Sequence, residues 1–277
     1  MADLDDLPLD KPREPEPAPR GLRWRAALIA ALVIVLALIV WNFFAPFSRP
    51  DSDVQLPVAS APERTGDRPL PVEGEAIDLA PLGETDPLVR QLVGQLSSHP
   101  KVAAWLATDQ LIRNFTVVVV NIANGSTPAR HLGSVRPAGE FTVDNARGDI
   151  IIHPRSYRRY DEYADAIAGL DPVGTARLYA TLKPRIQEAA AELGYPDDFT
   201  RTMERAFVEL LKTPVVEGQV GLTPKSVAYD FADPKLRSLS AAQRQFLRMG
   251  PRNMRMVQTK LREIAQHIGI APEALPR

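Results

Sequence analysis

The sequence predicts a mainly helical α+β domain, with one or two small β-hairpins, preceded by a single transmembrane helix. Three observations carry this. Residues 26–45 are an apolar run without a charge, residues 46–85 are rich in proline and acid, and from residue 86 apolar side chains recur at helical spacing between cap signals.

Residues 1–25 mix Pro12, Pro15, Pro17 and Pro19 with acidic side chains and lack apolar periodicity, which predicts a disordered cytoplasmic tail. Ala26–Ala45 has only Asn42 as a strongly polar interruption and is bracketed by Trp24 and Trp41. Twenty helical residues cover roughly 30 Å, the hydrocarbon thickness of a bilayer. Arg20, Arg23 and Arg25 precede the run, while Arg49, Asp51 and Asp53 follow it. That asymmetry places the amino terminus inside and the rest of the chain outside. A cleaved signal peptide fits less well, because its apolar region is shorter and the nearest small-x-small triplet, Ala59-Ser60-Ala61, lies well past the run.

Residues 46–85 contain seven prolines and a net charge of −5, the pattern of a linker. As a flexible coil it spans roughly 35 Å, and as polyproline up to about 120 Å. The net charge of −1 over 277 residues thus conceals an acidic tether and a soluble region, residues 86–277, at +5. No cysteine is present, which excludes disulfides, thiolate nucleophiles and cysteine metal sites.

Within the soluble domain, expected at 86–268 with a tail at 269–277, Asp86-Pro87 starts a helix to about Ser97 through Leu88, Leu92 and Leu96. His99-Pro100 breaks it, and a helical turn at 101–106 leads to Thr108 as a candidate N-cap. Leu111, Ile112, Phe115, Val118, Val119 and Ile122 have helical spacing, although Thr116–Val120 is β-branched enough for a strand. Helix is the better reading. A polar loop from Asn124 is followed by a hairpin at 141–144 and 149–153. Ser156 is placed to cap a helix at 157–170. Asp171-Pro172 begins a long helix to Leu193-Gly194, with Pro184 expected to kink or split it near Leu182. Asp197 or Asp198 caps a helix to about Lys212, short strands are expected at 220–222 and 227–231, and Asp233-Pro234 starts one further turn. Ser240 with Gln243 is a capping-box pattern, and Gly250-Pro251 separates that helix from the last, which ends near Ile268.

Four stretches carry a resemblance: Tyr157-Arg158-Arg159-Tyr160 with Tyr163, Leu193-Gly194-Tyr195-Pro196-Asp197, Tyr229-Asp230-Phe231-Ala232-Asp233-Pro234, and Leu247-Arg248-Met249-Gly250-Pro251 with Asn253. Together they resemble a bacterial family classed only as a domain of unknown function. The resemblance implies one amino-terminal span, a Pro-rich tether and an envelope setting; it implies no reaction and no ligand.

The four histidines, His99, His131, His153 and His267, form no zinc motif, and neither a phosphate loop nor a nucleophile elbow is present. No metal or cofactor is therefore expected. Two constellations are candidate binding sites. Tyr157, Arg158, Arg159, Tyr160 and Tyr163 offer rings and guanidinium groups to a glycan or peptide, although the same tyrosines suit a helix face packed on a core. Residues 234–262 hold eight cations and no acid, among them Arg244, Arg248, Arg252 and Arg255. These suit an anionic polymer, an acidic partner or anionic lipid, or else a solvated face neutralised from elsewhere in the fold.

The expectation is a non-catalytic, membrane-anchored binding or scaffold protein of the bacterial inner membrane, its domain in the periplasm. Its partner would be an envelope protein or anionic cell-wall polymer, and nucleic acid is not expected on that side. The alternative is an envelope hydrolase with a dispersed active site, in which a cleft would join His153 or Asp161 to other carboxylates.

Overall fold

Asp171, Asp198, Asp233 and Ser240 each accept a backbone amide two or three residues ahead, and each starts a helix where the sequence places one. Such caps are local, so they are legible in the chain. In the computed structural model, residues 70–276 are described apart from 134, 135, 147 and 227, and of Arg130 and Ala146 only the backbone. The expected membrane span at 26–45 lies outside the described residues. No described helix is long and apolar enough to cross a membrane.

The helices are α1 (Asp86–Leu96), α2 (Pro100–Leu106), α3 (Leu111–Ala123), α4 (Pro154–Arg158), α5 (Asp161–Ala168), α6 (Pro172–Glu192), α7 (Phe199–Leu211), α8 (Pro234–Arg237), α9 (Ala241–Leu247) and α10 (Gly250–His267). The strands are β1 (Val143–Ala146), β2 (Asp149–Ile152), β3 (Gly221–Lys225) and β4 (Ala228–Phe231). The domain is mainly helical. Its two hairpins join through Ile150–Leu222 and Ile151–Gly221 into one antiparallel sheet ordered β1-β2-β3-β4. The ambiguous 111–123 segment is helix, since Leu111, Ile112, Thr116, Val119 and Val120 bury one face.

Two apolar clusters form the core. One gathers α1, α3, α6 and α7 around Leu111, Leu182, Ile186 and Phe199; the other packs the sheet on α5, α8 and α9 around Leu222, Phe231 and Phe246. Helix α10 joins them, since Met254 and Val257 belong to the second cluster and Ile264 and Ala265 to the first.

Four local features differ from expectation, the first two because a distant partner decides them. Asp86 does not cap its own helix; its carboxylate accepts the amides of Gln110 at 2.7 Å and Leu111 at 2.9 Å and so caps α3, whose Gln110 N-cap is left-handed. Ser156 does not cap 157–170. Its buried hydroxyl donates to Thr142 O and accepts from Thr142 N, both at 2.8 Å, and the segment divides into α4 and α5. His153 caps α4 instead, as His99 caps α2, each through Nδ1 and the amide two residues on. Pro184 does not split α6, because Leu182, Ile186, Ala189 and Ala190 are buried on both sides of it while the proline faces solvent.

Residues 70–85, assigned to the linker from sequence, form a strap on the first cluster. Leu70, Val72, Ile77 and Leu79 pack against it, while Glu73, Glu75 and Asp78 stay exposed. Glu75 N donates to Thr181 Oγ1 at 2.8 Å, and Arg185 donates to Leu79 O at 2.7 Å. Gly74 lies so near α6 that a Cβ there would be 2.5 Å from Thr181 N.

Candidate functional site

The Tyr/Arg constellation and the basic stretch meet at the start of α10. Gly250 has φ +77°, and a Cβ on it would stand 2.5 Å from Cγ of Tyr157. Only glycine meets both demands. One turn on, Asn253 is 1 % exposed. Its amide nitrogen faces Asp161 Oδ1 at 2.8 Å, Met249 O at 3.0 Å and Tyr157 O at 3.2 Å, while its oxygen accepts from Arg252 at 2.9 Å. Two hydrogens serve three acceptors, so one bond is shared. Asn253 thereby ties α4 and α5 to α10.

The tyrosines divide by role. Tyr157 packs into the second cluster, and burial raises its phenol above the ordinary tyrosine range. Tyr160 and Tyr163 have ring centroids 6.5 Å apart. The Tyr163 hydroxyl donates to Arg136 O at 3.0 Å, and the Lys101 ammonium lies 5.0 Å above its ring. Lys101 also pairs with Glu162 at 2.9 Å; the shared hydrogen bond raises the lysine and lowers the carboxylate. Arg159 donates to Ala138 O and lies over the Tyr160 ring.

The arginines divide too. Arg244 clamps a loop by donating to Arg237 O and Leu239 O, both at 2.8 Å. Arg252 lies 3.7 Å from Asp161 and 3.6 Å from Asp165. Arg255 pairs with Glu217, and Lys260 with Glu263 at 2.6 Å. Acids from other parts of the fold thus pair two of the eight cations, Arg252 and Arg255, and Glu263 pairs Lys260 from the next turn. Arg158 and Arg248 differ. They spring from the two sides of the Tyr157–Gly250 contact, and like Arg155, Lys235 and Arg237 they are exposed without an ion-pair partner among the described residues.

Sequence reasoning did not single out Asp161 and Asn253 as the hub, Arg155, or the Phe141–Tyr229 ring pair at 6.2 Å. The hub and ring-pair connections span from 88 to 96 positions, beyond any local pattern. Of the groups singled out for hydrolysis, Asp161 is committed to Asn253 and Arg252, and His153 Nδ1 to its cap, with Nε2 3.9 Å from Asp144. Lys183 and Asp198 form a shielded ion pair at 3.0 Å, but Asp198 also caps α7, which gives the pair a structural role. An open depression of about 240 Å³, lined by Ala123, Glu204, Arg205, Val208 and Glu209, lies elsewhere. No group of three metal-ligating side chains occurs among the described residues.

A family model described as a protein of unknown function (DUF3014) matches residues 111–265, over half the chain. That range includes both constellations and starts after the strap, α1 and α2. No curated protein and no solved structure matches.

Proposed function

We propose, for a chain that belongs to the DUF3014 family of proteins of unknown function, a membrane-tethered binding or scaffold protein whose domain engages an envelope partner outside the cytoplasmic membrane. The apolar run at 26–45 anchors it, and the arginine excess before that run sets its direction. The partner is an envelope protein or an anionic cell-wall polymer.

One observation carries the reading: the joint between α4 and α10 presents Arg158 and Arg248 to solvent without an ion-pair partner among the described residues, while Arg252 and Arg255 on α10 are paired. Cations left unpaired on a preorganised support suit an anionic ligand, since little ordering is left to be done on binding. The test is capture from intact cells by crosslinking, together with binding to purified wall polymers. Charge reversal at Arg158 and Arg248 should lower whatever is captured, and capture of nothing by either route would end the proposal.

A further inference from the structure

The surface beside the joint holds more than cations. Phe141 and Tyr229 are 38 % and 39 % exposed, with their rings tilted at 44° and centroids 6.2 Å apart. Phe141 precedes Thr142, whose backbone is bonded on both sides to Ser156 of α4, so the ring pair is held next to that helix. Arg155 and Arg158 are three apart on α4, and both are exposed without an ion-pair partner among the described residues. Glu140, also exposed, adjoins Phe141.

We infer that this surface binds a carboxylate-bearing glycan strand. The inference rests on the binding reading above and names the ligand class. Sugar faces present C–H patches that stack on aromatic rings, Arg155 and Arg158 take the carboxylates, and Glu140 accepts hydrogen bonds from sugar hydroxyls. A protein partner fits less well. Among the described residues the other large exposed apolar side chains, Val173 and Leu193, lie at and just beyond opposite ends of α6, so the patch there is confined to two rings. A stable protein interface needs about 800 Å² on each side around an apolar centre.

The test uses the full chain in detergent and four soluble probes: peptidoglycan glycan strands with their carboxylates intact, the same strands amidated, poly-glutamate, and glycerophosphoglycerol, the phosphatidylglycerol headgroup. Intact strands should bind, with the other three at least about tenfold weaker. Tyr229→Ala and Arg155→Glu should each weaken strand binding about tenfold at unchanged melting temperature. If both variants bind the strands as the native chain does, this surface is wrong while polymer binding stands. Equal binding of poly-glutamate or of the headgroup overturns the glycan assignment in favour of an acidic polypeptide or lipid. Binding of none overturns it and leaves only an envelope protein as partner, which crosslinking decides.

Discussion

The Tyr157 ring occupies the space that any side chain at position 250 would need, with Cγ 2.5 Å from where a Cβ would lie. Gly250→Ala adds that clash to a left-handed backbone, and the two together should destabilise the domain by about 3 kcal/mol. Denaturant unfolding measures the loss. Gly250→Ala in a Tyr157→Ala background should cost less than in the native chain, because the ring contacts are gone and only the Cβ at 2.8 Å and the backbone term remain.

Asn253 is the other half of the joint. Asn253→Ala leaves the Tyr157 and Met249 carbonyls and the Asp161 carboxylate without its amide hydrogens, a loss of about 2–3 kcal/mol. Asn253→Asp should be no better, since a carboxylate would face Asp161. Thermal unfolding of both variants checks this, and native stability in either would remove Asn253 from the account.

These two residues show where sequence reasoning reaches. The α7, α8 and α9 caps lie within three residues of the amides they hold, so composition and spacing reveal them. Asp86 and Ser156 carry the same local signals, yet the first caps α3 from 24 residues away and the second fastens Thr142. A short polar side chain before a helix reads identically in both cases; the tertiary partner decides. For the same reason eight cations in a row look like one patch, whereas Asp161, Asp165 and Glu217 neutralise two of them from other elements.

The strap should be part of the folding unit. Gly74→Ala places a methyl against the α6 backbone and should cost about 1–3 kcal/mol. Limited proteolysis should then cut residues 70–85 sooner than in the native chain. Equal cleavage would mean that the strap contributes little.

Two groups should shape the pH profile. Burial holds the Tyr157 phenol above its ordinary value, so its stabilisation is complete below the unfolded value of about 10 and is lost as pH rises through the folded one. Tyr157→Phe should flatten the alkaline limb. Asp230 runs the other way. Burial would raise its carboxyl, but the Phe231 amide, then Lys225 and Arg244, outweigh this and hold it low. Its contribution is present above the unfolded value and lost as pH falls through the folded one, so Asp230→Asn should flatten the acid limb. Unfolding by urea across pH 2–11 reads both limbs.

The most direct test of the central claim is site-specific photocrosslinking in intact cells, with the photoreactive residue at exposed position 154, on the same helix as Arg158, and a control at exposed Leu193. An adduct at 154 that is absent at 193, and that weakens when Arg248→Glu is introduced, is the expected result. No adduct at 154, or equal adducts at both positions, would contradict a binding surface at the α4–α10 joint.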